Sequence, residues 1–193
     1  MRVICVNYYK HGGDRLAKLG LLQVYTGNGK GKTTASIGLA FRACGHGLTV
    51  CMIQFMKDNI DYGEVKASQY LPGFKLIQVG RNDFVNLEHP EQIDIELATK
   101  GWNLAQSIIL SGTYDIVILD EMNVAMACKL LDVNEVVRFL KNEYQALTKR
   151  PELIVTGRYA PTAITEMADL VTEMQEICHH YAVGIEARQG IEF

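Results

Sequence analysis

The run Thr26-Gly27-Asn28-Gly29-Lys30-Gly31-Lys32-Thr33-Thr34 constrains this chain more than any other stretch. It stands between Leu21 to Thr26, an apolar segment suited to a buried strand, and Thr33 to Cys44, which reads as a helix closed by Gly45-His46-Gly47. Glycines at 27, 29 and 31 let successive backbone N–H groups turn toward one point, and the helix start adds partial positive charge there. Lys32 is placed to neutralise phosphate oxygens, the Thr33 hydroxyl to ligate magnesium, and Lys30 to add a second cation. The usual pattern has glycine where Thr26 stands, so this is a variant of the phosphate-binding P-loop.

The segments that follow carry the same architecture forward. Leu48 to Phe55 is a nearly continuous apolar strand, Phe74 to Val79 a shorter one after Pro72-Gly73, and Pro90 to Leu110 reads as a helix. Tyr114 to Leu119 is the most apolar strand of the chain. Asp132 with Glu135 has the form of a capping box, and Val133, Val136, Val137 and Leu140 give its helix an apolar stripe. Glu152 to Thr156 is a further strand, Pro161 suits a first helical turn, and Leu170 to Met174 and Ala182 to Ala187 are expected as late strands. Strands alternating with helices predict an α/β fold, a mainly parallel sheet with helices on both faces. Such sheets bind ligands beyond the carboxyl ends of their strands.

Two carboxylates, Asp120 and Glu121, end the strand that begins at Tyr114. A parallel sheet brings that end beside the loop, where Glu121 is assigned to magnesium and Asp120 to the shell behind it. Thr156-Gly157-Arg158 ends another strand on the same side, so Arg158 is a candidate phosphate or substrate contact, with a surface ion pair as the alternative. Arg42, on the first helix, is read as part of a solvated face. His179 and His180, as neighbours on a strand, would point to opposite faces and could not chelate one ion. Trp102, Cys44, Cys51 and Cys128 are read as packing residues.

Composition narrows the class. With 193 residues, 48% hydrophobic and 21% charged, the chain has the balance of a single globular domain. A net charge of −3 gives no bulk attraction to nucleic acid. No apolar run reaches the roughly 20 residues that span a bilayer, and the apolar start at Met1 is too brief for a secretory signal. Five cysteines without a C-x-x-C pair argue against a disulfide framework or a structural zinc, and a cytoplasmic location is expected.

These motifs alone do not choose a reaction. The wider set does: the loop from Thr26 to Thr34, Gly45-His46-Gly47, Gln54-Phe55-Met56-Lys57, Leu119-Asp120-Glu121, Thr156-Gly157-Arg158, Ala168 to Met174, and Gly190-Ile191-Glu192-Phe193. In this order they resemble the P-loop type of ATP:corrinoid adenosyltransferase, from about Leu21 to Phe193. The resemblance implies a RecA-like sheet in one domain over 21–193, with 1–20 as an extension that matches the family poorly and carries Tyr8, Tyr9 and Lys10. It implies a homodimer, a reduced flavoprotein as electron donor, and ATP lying reversed along the loop. Thr26, Gly27, Asn28, Gly29, Lys30, Gly31, Lys32, Thr33 and Thr34 would surround the triphosphate, with Arg158 nearby. Thr33 and Glu121 would hold magnesium, or manganese in its place. The nucleophile would be cobalt(I) of the corrinoid, attacking the 5′ carbon of the ribose, so that no protein side chain need serve as one.

One departure stands out. The family has a Phe-x-Trp pair on the corrinoid-side loop that helps displace the lower axial ligand of cobalt. This chain has Phe84-Val85-Asn86, so Asn86 replaces the tryptophan. That substitution keeps a non-catalytic corrinoid-binding regulator open as a reading, and the bare loop with Glu121 also allows another small-molecule kinase or ATPase.

Overall fold

The computed structural model describes residues 2–4, 19–83 and 85–193. Its sheet has the strands β1 (Arg2–Ile4), β2 (Leu22–Thr26), β3 (Val50–Phe55), β4 (Phe74–Val79), β5 (Ile116–Asp120), β6 (Glu152–Thr156) and β7 (Leu170–Glu173). The order across the sheet is β1-β7-β2-β6-β5-β3-β4, and every pairing is parallel except that of β1 with β7. The expected mainly parallel sheet is therefore the observed one. No helix among the described residues is long and apolar enough to cross a membrane.

The continuous apolar runs of β3 and β5 follow from their place in the middle of this sheet. Val50 and Met52 face one core with Ile116 and Ile118, while Cys51, Ile53 and Phe55 face another with Val117 and Leu119. Successive side chains point to opposite faces, so a strand covered on both sides must be apolar at every position. One face is covered by α1 (Lys32–Gly45), through Ala40 and Ala43. The other carries α3 (Gln92–Ser111), α4 (Met122–Ala127), α5 (Val133–Phe139) and α6 (Thr162–Thr165). Trp102 of α3 is 2% exposed and meets Phe139 edge-on, with ring centroids 5.2 Å apart, which bears out its packing role.

Gly101 sets the height of α3 above the sheet. A Cβ there would lie 2.6 Å from Val79 Cγ2 and 2.9 Å from Phe55 Cε1. A glycine in a helix interior costs about 0.5–1 kcal/mol relative to alanine, and here close packing of helix on sheet offsets that cost. Two short helices have no strong sequence signal, α2 (Gly63–Ser68) and α4. The reciprocal capping box belongs to α3, between Glu91 and Asp94, whereas at α5 Asp132 caps Asn134 N alone.

The strand expected over 182–187 is absent. His180–Val183 form a single 3₁₀ turn ended by Gly184 at φ 79°, because the His179 imidazole accepts from Tyr181 N (3.2 Å) and starts the turn. His179 and His180 consequently do not point to opposite faces of a strand; their rings stack at 4.5 Å. Arg42 is exposed, as expected. Cys51 is fully buried, and Cys44 and Cys128 partly so; burial pushes all three thiols up, that of Cys51 to about 11.

Candidate active site

The carboxyl ends of β2, β3, β5, β6 and β7 meet at one edge of the sheet, and the loop after β2 lies across them. Gly27 (φ 93°) and Gly31 (φ 115°) take left-handed backbone conformations that bend this loop around. The glycines have a second use. Met174, just past β7, donates its N–H to Thr26 O (2.8 Å) and accepts from Gly29 N (2.7 Å). Side chains at 27 or 29 would overlap the backbone of Met174 or Gln175, so the loop is wedged from outside by the chain that follows β7.

Lys32 opens α1 and turns inward, its ammonium donating to Gly27 O (2.8 Å) and Gly29 O (2.6 Å). Burial pulls its pKa below the usual lysine value, with the nearby Arg158 acting in the same sense, while Glu121, Asp120 and Glu176 oppose. A buried lysine bound only to carbonyls is ready to exchange them for phosphate oxygens. Lys30 points the other way: its ammonium donates to Glu192 Oε1 (2.6 Å) and Ile191 O (3.1 Å) at the carboxyl end of the chain. Asn28 and Thr34 are exposed on the loop and at the start of the helix.

Asp120 is the hub beneath the loop. It is fully buried, and its Oδ1 accepts from Thr33 Oγ1 (2.8 Å) and Thr156 Oγ1 (2.7 Å). Its Oδ2 accepts from Gln54 Nε2 (3.1 Å) and Lys57 Nζ (3.0 Å). A carboxylate has about four lone-pair sites, and all are occupied here. Burial works against the charge of Lys57, but Asp120 outweighs it and holds the ammonium pKa above its usual value. Met56, at φ 57°, turns the chain after β3 so that Lys57 comes back over Asp120.

Glu121 is bonded quite differently from its neighbour. It sits in the left-handed region at φ 61° as the N-cap of α4, and its N–H donates to Thr156 Oγ1 (3.1 Å). Among the described residues no hydrogen bond reaches its carboxylate. Burial raises its pKa, Asp120 raises it further, and Lys57, Lys32 and Arg158 pull the other way. A non-glycine residue in this conformation costs about 1–3 kcal/mol, a strain found where a side chain must be aimed. No group of three His, Cys, Asp or Glu among the described residues could hold a metal ion. A site shared with substrate oxygens suits magnesium, which takes one or two protein ligands plus phosphates and water. The donors present fit it: Thr33 gives its proton to Asp120, which leaves its oxygen lone pairs free, and Glu121 supplies an uncommitted carboxylate.

Arg158 is exposed at the end of β6 and lines an open cavity of about 340 Å³ with Glu176, His179, Tyr181 and Ala182. Phe84 lies outside the described residues. The Asn86 side chain accepts from Glu88 N (3.1 Å) and His89 N (3.2 Å), which folds it back onto its own loop.

The family model for ATP:corrinoid adenosyltransferase BtuR/CobO/CobP matches residues 18–193. The chain belongs to this family. A corrinoid adenosyltransferase of Sinorhizobium sp is 39% identical over 90% of this chain and 80% of its own length. Those of Escherichia coli K12 (35%, over 90% and 86%) and Pseudomonas aeruginosa (34%, over 90% and 84%) are similar to it as well. The crystal structure of the flagellar accessory protein FlaH from Methanocaldococcus jannaschii superposes with a TM-score of 0.55 at 15% identity, covering 81% of this chain and 71% of that one. That likeness concerns the fold, a P-loop α/β fold of the RecA-like kind.

Within this adenosyltransferase, several site residues carry little local signal. Gln54 is detectable as the lone polar residue of an apolar strand, but the roles of Lys57, Thr156 and Met174 depend on contacts across the sheet. The Glu192 contact with Lys30 spans 162 residues of sequence.

Proposed function

We propose that this corrinoid adenosyltransferase grips the triphosphate of ATP in the 26–34 loop so that the ribose 5′ carbon faces a cobalt(I) corrinoid. The bond between cobalt and C5′ forms from the cobalt electron pair, the bond from C5′ to the α-phosphate oxygen breaks, and inorganic triphosphate leaves with that pair. Cobalt rises formally from the +1 to the +3 state, so no further oxidant is needed. The observation that carries this reading is the pairing of an inward Lys32, bound only to carbonyls, with an uncommitted, half-buried Glu121 at the same edge of the sheet.

The chain's own residues do the aligning. Charge grows on the leaving triphosphate, and the loop amides, the α1 start and Lys32 are aimed there before reaction. Asp120 fixes the rotamer of Thr33, and Glu121 with Thr33 would hold magnesium against the phosphates. Magnesium, when bound, supplies Lewis-acid charge to the leaving group. Arg158 stands at the edge of this cradle as a further cation. Homodimeric assembly is part of the same reading, supported by apolar surface at Ile177, Tyr181 and Val183. A reduced flavoprotein is the proposed electron source, and the cytoplasm the proposed location.

The test is the identity of the products. Pure protein with magnesium, ATP and chemically reduced cobalamin should yield the alkylated cobalt spectrum and one inorganic triphosphate per turnover. Release of ADP and phosphate would place the chain among kinases or ATPases. ATP and cobalamin bound without turnover would make it a corrinoid-binding regulator, the reading that Asn86 keeps open.

A further inference from the structure

Lys30 is flanked by Gly29 and Gly31, so it carries the one side chain by which the 29–31 stretch of the loop can be held. Its ammonium is committed to Glu192 Oε1 (2.6 Å) and Ile191 O (3.1 Å). Glu192 in turn is fixed by Arg188, whose N–H donates to Oε2 (2.8 Å) and whose guanidinium donates to both carboxylate oxygens at 3.2 Å. The turn is closed by Glu192 N to Arg188 O (2.9 Å) and Gly190 N to Phe193 O (2.7 Å). Its last residue reaches α2, where the Phe193 ring lies 6.5 Å from that of Tyr62. The end of the chain thus bridges from the phosphate loop to the helix that follows β3, and Glu192, with a side chain only 14% exposed, is its keystone.

We propose that Glu192 is a positioning residue for ATP, acting through Lys30, and that the 188–193 turn is a brace for the phosphate loop. The two loop lysines then divide the work. Lys32 meets the cradle from inside, whereas Lys30 spends its charge outside and offers the nucleotide its backbone N–H. The physical gain is preorganisation: a glycine-flanked segment already held in its bound shape loses less freedom when ATP arrives. This inference rests on the nucleotide reading of the loop and deepens it, since resemblance alone would spend the Lys30 charge on phosphate.

The experiment is ATP binding by calorimetry, without corrinoid, on the full-length wild type, Glu192→Gln, Lys30→Met and the double variant, each checked by its thermal unfolding midpoint. A partly exposed ion pair in a small network predicts about a fivefold weaker ATP Kd for either single variant. The double variant should be no weaker than either single one. In turnover, Glu192→Gln should raise the KM for ATP by the same factor while leaving kcat and the KM for corrinoid unchanged. Wild type without ATP binding would reject the nucleotide reading itself. With wild type binding, three results would overturn the brace: Lys30→Met far worse than Glu192→Gln, effects that multiply in the double variant, or Glu192→Gln binding ATP as well as or better than wild type. If a single variant unfolds at lower temperature, Phe193→Ala, which keeps the ion pair and removes the Tyr62 contact, should give a smaller loss of ATP affinity in the same direction; no loss at all would also count against the brace.

Discussion

Carboxylates hold both ends of the sheet, but they are bonded differently at each. At the amino ends of the strands, Glu152 accepts from the N–H groups of Gly20 and Leu21 (3.0 Å each), Asp169 from Leu22 N (2.8 Å) and Asp115 from Thr49 N (3.0 Å). At the carboxyl ends, Asp120 accepts only from side chains, and the carboxylate of Glu121 from no donor among the described residues. Backbone amides cannot leave, so the first set ties down the chain. Hydroxyls, an amide and an ammonium can re-aim when a ligand enters, so the second set is where chemistry can be accommodated.

That contrast can be broken by mutation. The largest effect should come from Asp120→Ala, which strands Lys57 and three further donors in the interior. Chemical denaturation should show a loss of about 3–5 kcal/mol, with adenosyl transfer lost as well. Next comes Glu121→Gln, with the opposite balance. Burial and Asp120 already disfavour its charge, so stability should hold or rise, while turnover under magnesium-limited conditions should fall about 100-fold. A parallel loss of stability and turnover would mean that Glu121 is merely structural. The smallest effect on catalysis belongs to Glu152→Gln, which weakens the tie to Gly20, Leu21 and Gln23. It should cost about 1–3 kcal/mol of stability with kcat and both KM values unaltered.

What the sequence makes legible divides along a similar line. The loop, β2, α1 and the apolar strands are local patterns, and local patterns survive into the fold because both core faces demand them. The 182–187 segment misleads because its apolar residues alternate like a strand, while the hydrogen bond accepted by His179 starts a turn instead. Lys30 reads as a phosphate cation from spacing alone, and only the fold brings Glu192 to it. Asp120 and Glu121 are adjacent and chemically alike. Their separate fates depend on the backbone turn at φ 61°, which no residue type announces.

The missing methyl at Gly101 has a consequence for the segment that bears Asn86. Because α3 rests directly on Val79 and Phe55, the 80–91 connection leaves β4 at a height dictated by that contact. A methyl added there would lift the helix like a shim under a hinge, and the segment bearing Asn86 would tilt with it. The placing of that segment is thus tuned from beneath, by a residue on the inner face of α3.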